Sequence, residues 1–173
     1  MSQSIDQRIG ILGGGQLGRM LIQSGIDLNL AFSVLDPDAQ APCALISKFT
    51  QGKLTDYNTV LAFGKNCDLI TIEIENVNVL ALKELVSQGK KVFPQPEIIE
   101  LIQDKRTQKD FFKKNNIPTA DFILTTNKES VIANKNFLPA VNKLGKEGYD
   151  GRGVQVIRHE KDLMKALNSI HVL

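Results

Sequence analysis

Apolar and polar positions alternate in blocks along the first part of the chain. Residues 9–12 form a short apolar run that ends in glycines, the mark of a buried strand. From Gln16 onward, Leu17, Met20, Leu21 and Leu28 recur at roughly helical spacing, and Gly25 interrupts. Residues 31–35 predict a second strand, closed by Asp36-Pro37-Asp38, and residues 48–50 a third. A helix follows over residues 56–63, capped by Asp56, with Tyr57, Val60, Leu61 and Phe63 on its apolar side. Residues 69–74 are strongly β-forming and lead into Glu73 and Glu75. Asn78 is a second cap, ahead of Leu80, Leu82 and Leu85, and Gly89 is the stop. Val92-Phe93 is a fifth short strand. This alternation predicts an α/β fold with a parallel, doubly wound sheet.

The pattern changes after Pro94 and Pro96. Residues 96–103 and 106–115 predict two consecutive helices. Residues 121–125, 140–144 and 154–157 predict strands, and residues 161–170 a helix with Leu163, Ala166, Leu167 and Ile170 inward. The expected domains are residues 1–95 and 96–173. No internal repeat or low-complexity tract occurs.

Bulk properties narrow the function classes. The chain has 173 residues, 42% hydrophobic and 23% charged, within the range of ordinary globular proteins. Lys plus Arg is 21 and Asp plus Glu is 19, which argues against a dedicated nucleic-acid surface. No apolar run is long enough for a membrane span, and the polar residues 1–8 lack the core of a signal peptide. Cys43 and Cys67 lie far apart and only His159 and His171 are present, so no zinc site is expected. A reduced cytoplasm is the simplest setting.

Two glycine loops of different kinds carry the candidate chemistry. Gly13-x-Gly15-x-x-Gly18 follows a strand and opens a helix, where glycines permit close backbone approach and exposed amides favour an anion. A purely structural strand-helix turn is the competing reading. Asp36, at the end of the next strand, fits either a dinucleotide's ribose acid or simple turn chemistry. Glu73 and Glu75 flank Ile74, and strand alternation puts both on one face, as ligand-binding acids or as a solvated edge. The second loop, Gly148-Tyr149-Asp150-Gly151-Arg152-Gly153, lies between two predicted strands. It could fold over a triphosphate, with backbone amides and Arg152 as donors. Lys143, at the end of the strand before it, either neutralises phosphate or snorkels to solvent.

Gly13 to Met20 (Gly-Gly-Gly-Gln-Leu-Gly-Arg-Met), Leu35-Asp36-Pro37-Asp38, Cys67-Asp68, Thr71-Ile72-Glu73-Ile74-Glu75-Asn76, Asp104-Lys105-Arg106-Thr107-Gln108-Lys109 and Gly148 to Gly153 occur in order. Together they closely resemble the 5-(carboxyamino)imidazole ribonucleotide synthase family of ATP-grasp enzymes in purine synthesis. The resemblance implies a Rossmann-like pre-ATP-grasp domain followed by the first part of an α+β ATP-grasp domain. It implies that ATP phosphorylates bicarbonate and that the amine of aminoimidazole ribonucleotide then takes the carboxyl group. It places the ribonucleotide on Gly15, Gln16, Leu17 and Glu73. It places ATP on Lys105, Lys143, Gly148, Tyr149, Asp150, Gly151, Arg152 and Gly153. Asp150 would also reach the nucleotide substrate, as the one candidate for a catalytic role. The anion at the first loop then becomes a monophosphate. A homodimer and a magnesium cofactor are further implications.

Three departures from the family pattern stand out. Lys105 occupies the place of an arginine that touches ATP, with Arg106 one step later. Glu147 replaces a usual Gly, and Val154 a usual Gln. No Glu/Asn pair of metal ligands follows Gly153, so the chain reads as an N-terminal portion whose metal ligands lie beyond Leu173, and inactivity of the chain alone is expected. The formate-dependent glycinamide ribonucleotide transformylase shares the layout, but it usually carries Glu in place of Gln16 and a serine-rich ATP loop. That enzyme, another ATP-grasp ligase, and a binding-only nucleotide module remain the alternatives. A nicotinamide dehydrogenase is more distant, since no catalytic domain follows the first unit.

Overall fold

The computed structural model describes residues 7–146 and 153–169. The chain divides into two compact units, Met1–Glu100 and Leu101–Leu173.

In the first unit, β1 (Arg8–Leu12), β2 (Ala31–Asp36), β3 (Lys48–Gln51), β4 (Leu69–Ile72) and β5 (Lys91–Phe93) form one parallel sheet in the order β3-β2-β1-β4-β5. β1 is central because its apolar run suits a strand covered on both faces; Ile11 and Leu12 are fully buried, as are Val34, Leu35 and Ile70 beside it. Leu12 lies opposite both Leu35 and Ile72, so the carboxyl ends of β1, β2 and β4 come level. The strand order runs outward from β1 on one side to β3 and then crosses to β4 on the other. Such a switch point opens a crevice at the carboxyl ends of the strands.

Helices α1 (Gln16–Ile26), α2 (Tyr57–Lys65) and α3 (Val79–Ser87) join these strands. Both expected caps form: Asp56 accepts from the Thr59 amide at 2.8 Å and Asn78 from the Ala81 amide at 2.9 Å. α3 ends just before Gly89, whose φ is +81°. Val60, Phe63, Leu82 and Leu85 are buried as their spacing predicts, while Tyr57 and Leu80 face outward. α1 departs from expectation more strongly. Leu17, Met20, Leu21 and Leu28 are exposed, and the packed face is Gly18, Ile22 and Gly25. The helix lies too close to the sheet for large side chains: a Cβ on Gly25 would sit 2.5 Å from the Phe32 ring.

Expected alternation also fails at the end of β4. The strand stops at Ile72 and residues 73–75 form a bend, so Glu73 and Glu75 are not set on one face by pleating.

α4 (Pro96–Gln103) crosses the division between the units. The second unit contains α5 (Lys105–Lys114), α6 (Lys128–Ala133), a 3-10 turn at Lys135–Phe137, an antiparallel pair β6 (Ala140–Lys143) and β7 (Val154–Ile157), and α7 (Glu160–Ser169). Ile157, Leu163 and Leu167 form its core, with Val131 and Leu138 packed against them. The side chain of Ala166 and all of Ile170 lie outside the described residues. α6 has a legible start, a capping box of Asn127 and Ser130, that apolar periodicity alone overlooks. The expected strand over residues 121–125 does not form. Among the described residues no strand pairs with it, and β propensity without a ladder does not make a strand. Lys109 holds this stretch instead, donating to Thr119 Oγ1 and to the Ala120 carbonyl at 3.3 Å, with its ammonium 5.4 Å from the Phe122 ring centroid. No described helix is long and apolar enough to cross a membrane.

Asp104, the N-cap of α5, is only 7% exposed and is the one buried charged residue among those described. Hydrogen bonds from the Arg106 guanidinium are the main reason its carboxyl titrates near about 2, against the opposing effect of burial. Folding thus lowers the proton affinity of this group. Its contribution is complete above the unfolded value near about 4 and is lost as pH falls toward the folded one. Asp104→Asn should therefore lower the urea midpoint at pH 7, and the gap to the parent chain should shrink below about pH 4. Urea titrations across that range check this; a gap that is independent of pH contradicts it.

Candidate functional site

The first glycine loop leaves β1 with Gly13 at φ +105°, and the Gly13 amide donates to the Leu35 carbonyl at 3.0 Å. Asp36 holds the next residue: its Oδ2 accepts from the Gly14 amide at 2.6 Å while Oδ1 accepts from the Asp38 amide at 2.8 Å. Both carboxylate oxygens thus shape backbone, which favours the turn reading of Asp36 over a ribose contact. Cys43 supports the loop from behind. Its amide donates to the Gly14 carbonyl at 3.0 Å and its thiol to the Gly15 carbonyl at 3.6 Å. Burial pushes this thiol up from its ordinary value, and the carboxylates of Glu73 and Asp36 add to the effect. Nothing in the local sequence marks Cys43 for this task, since the segment approaches the loop only through the fold.

Glu73 closes the other side. Its amide donates to the Leu12 carbonyl at 2.8 Å, which fixes the bend after β4 beside the glycines. A Cβ on Gly15 would lie 2.6 Å from Glu73 Oε1, and one on Gly13 2.7 Å from Oε2. The carboxylate therefore rests directly on the turn. α1 begins immediately afterwards with Gly15 as its N-cap and no side-chain capping bond, so its first amides remain open to a ligand. Gln16 is exposed and Leu17 is 66% exposed at this end. The structure thus gathers Gly15, Gln16, Leu17 and Glu73 at the carboxyl end of the central strands. The arrangement offers N–H donors suited to an anion beside a carboxylate suited to hydroxyl groups.

In the second unit, Lys143 is the last residue of β6, exposed and opposite Val154. The Leu144 amide donates to the Gly153 carbonyl at 3.0 Å and closes the stem of the second glycine loop; Gly153 has φ +68°. Lys105 opens α5, and its amide donates to the Gly145 carbonyl at 2.7 Å. Lys105 and Lys143 therefore both flank this stem. Glu147, Gly148, Tyr149, Asp150, Gly151 and Arg152 lie outside the described residues. Arg106 does not take over as a loose cation, because its fork is engaged by Asp104. Among the described residues, no group of three or more His, Cys, Asp or Glu side chains converges to hold a metal ion.

Comparison with known proteins gives a consistent answer. Residues 6–103 match the family described as "Ribonucleotide synthetase preATP-grasp domain", and residues 110–172 match "ATP-grasp domain". Phosphoribosylaminoimidazole carboxylase of Candida glabrata is 42% identical over 166 residues, 92% of this chain and 29% of its own length. Carboxyaminoimidazole ribonucleotide synthase of Aspergillus clavatus, solved with ATP, superposes with a TM-score of 0.85 at 33% identity over 96% of this chain and 45% of that one. The same Aspergillus clavatus enzyme, solved with ADP and 5-aminoimidazole ribonucleotide, gives 0.80 at 32% identity over 94% and 43%. The chain thus spans less than half the length of these relatives. It belongs to the ribonucleotide synthetase preATP-grasp family, and its likeness to the carboxyaminoimidazole ribonucleotide synthases continues into the start of an ATP-grasp domain.

Proposed function

We propose that this chain supplies the ribonucleotide-binding domain and the first part of the ATP grip of a 5-(carboxyamino)imidazole ribonucleotide synthase. The observation that carries the reading is the Glu73 carboxylate lying on the 13–15 turn at the open start of α1. A carboxylate repels phosphate and accepts hydrogen bonds from hydroxyls. The amides of Gln16 and Leu17 therefore take the 5′-phosphate, and Glu73 takes the ribose. A relative solved with 5-aminoimidazole ribonucleotide supports this substrate class. Lys143, exposed at the end of β6, draws the phosphates of ATP toward the second loop, with Lys105 as a second cation at its stem. By resemblance, Gly148, Tyr149, Asp150, Gly151, Arg152 and Gly153 wrap the nucleotide, and Asp150 reaches the ribonucleotide.

The reaction so served has two steps. Bicarbonate attacks the terminal phosphorus of ATP and releases ADP; the resulting carboxyphosphate passes its carboxyl group to the exocyclic amine and releases phosphate. Magnesium finds no fitting set of ligands among the described residues, so no step is assigned to a metal held by them. A homodimer in the cytoplasm is the setting the resemblance favours.

These 173 residues assayed alone with ATP, magnesium, bicarbonate and aminoimidazole ribonucleotide should give no carbamate above background. A version extended to the length of the relatives should give product only with both bicarbonate and the ribonucleotide. Turnover of formate with glycinamide ribonucleotide would assign the chain to the transformylase, and turnover of neither set would leave a binding module.

Gly15→Ala in the extended protein should raise the KM for the ribonucleotide and leave that for ATP nearly unchanged. The added methyl meets the end of the Glu73 side chain, 2.6 Å away, and displaces it. Equal losses for both ligands, together with a lower melting temperature, would reduce Gly15 to a packing residue.

Lys143→Ala should weaken ATP binding roughly thirtyfold, about 2 kcal/mol for one charge-assisted phosphate contact, and spare the ribonucleotide. Separate titrations with the two ligands decide this, and unchanged ATP affinity would make Lys143 a solvated surface residue.

A further inference from the structure

Arg106 stands one residue past the position where the family pattern has a nucleotide-contacting arginine. Its guanidinium is committed elsewhere. Asp104 Oδ1 accepts from both the Arg106 amide and Nε, each at 2.9 Å, and Oδ2 accepts from Nη2 at 2.7 Å. Two parallel bonds to one carboxylate fix the plane of a guanidinium, which a single ammonium contact would not do. The anchor is itself immobile: Asp104 is 7% exposed and caps α5, and its carbonyl accepts from Thr107 Oγ1 at 2.8 Å.

The fixed plane lies against Gly145. A Cβ at that position would come within 2.5 Å of Arg106 Nε, 2.9 Å of Cζ and 3.0 Å of Cδ. The φ of Gly145 lies outside the left-handed region, so the backbone does not require glycine there; the guanidinium does. At the same point the Lys105 amide donates to the Gly145 carbonyl at 2.7 Å. One residue earlier, the Leu144 amide holds Gly153 where the chain returns to β7. The entry and exit of the second glycine loop thus meet beside a platform built from α5.

We infer that Arg106 is a positioning residue for the second glycine loop: locked by Asp104, its guanidinium seats Gly145 and sets the direction in which the loop leaves β6. It acts through the backbone and not by touching the nucleotide. This rests on the reading of that loop as a nucleotide grip, and the test is arranged so that the two can fail separately.

The experiment uses the protein extended to the length of its relatives, with Arg106→Leu, Arg106→Lys, Gly145→Ala and the Arg106→Leu/Gly145→Ala double variant. Three quantities are read: exchange of the Lys105 amide proton, the Kd for ADP by calorimetry, and the melting temperature. Loss of the fork should speed Lys105 exchange about tenfold and weaken ADP about tenfold, and in the Arg106 variants it should also lower the melting temperature, because buried Asp104 is left without its base. Arg106→Lys keeps the charge without the fork and should behave the same way, which covers the case of a leucine variant that does not fold. Gly145→Ala should match Arg106→Leu in exchange and in ADP affinity. The double variant should be no worse than either single one, because the methyl then fills the space the guanidinium left. Unchanged Lys105 exchange in both Arg106 variants overturns the inference, whether or not ADP affinity falls. Additive losses in the double variant overturn it too. If the extended parent protein fails to bind ADP, the nucleotide reading of the loop is at fault, while Lys105 exchange still decides the role of Arg106.

Discussion

The turn formed by Gly13, Gly14 and Gly15 is confined by carboxylates on two sides, and the geometry of the candidate site follows from that confinement. Asp36 grips the Gly14 amide at 2.6 Å, and Glu73 lies where a Cβ of Gly13 or Gly15 would be. Both acids arrive there because the parallel register makes the ends of β1, β2 and β4 level. A side chain at Gly13 or Gly15 would push the Glu73 carboxylate aside, and one at Gly14 would crowd Ala41, Asp36 and Val34. The two acids then have different tasks. Asp36 holds a backbone amide with each carboxylate oxygen and is a structural part of the loop. Glu73 presents its carboxylate beside the open amides of α1, where a ligand with both an anionic and a hydroxylated part can meet both.

A similar economy of side chains appears where α1 meets the sheet. Gly18 and Gly25 let the helix approach closely, and Ile22 is its one large buried residue. The close approach keeps the start of α1 near the end of β1, so the helix dipole points at the turn and not at solvent. It also leaves Leu17, Met20 and Leu21 outside. The apolar stripe that reads as a core face in the sequence is therefore not the face that packs.

In the second unit the corresponding fixed point is the pair of Asp104 and Arg106. Surface ion pairs contribute little as a rule. This one differs because its acid is buried and caps a helix, and because the base is held by two side-chain bonds and one amide bond to the same carboxylate. A rigid guanidinium can serve as a surface for backbone to lie on. Lys109 performs a looser version of the same task on the same helix, holding the stretch from Thr119 to Phe122 that forms no ladder.

The sequence by itself determined the order of strands and helices in the first unit, the caps Asp56 and Asn78, and the two glycine loops, because each depends on spacing or on residues within a few positions. Its motifs also carried the family resemblance. Tertiary structure decided which face of α1 is buried, since that depends on how near the sheet lies. It decided that residues 121–125 form no strand, since a strand exists only with a partner. It decided that Asp36 serves the backbone, and that Cys43 and Glu73 enclose one turn from opposite sides. These contacts join residues 22 to 61 positions apart, and only the packing of the sheet brings such distant groups within hydrogen-bonding distance.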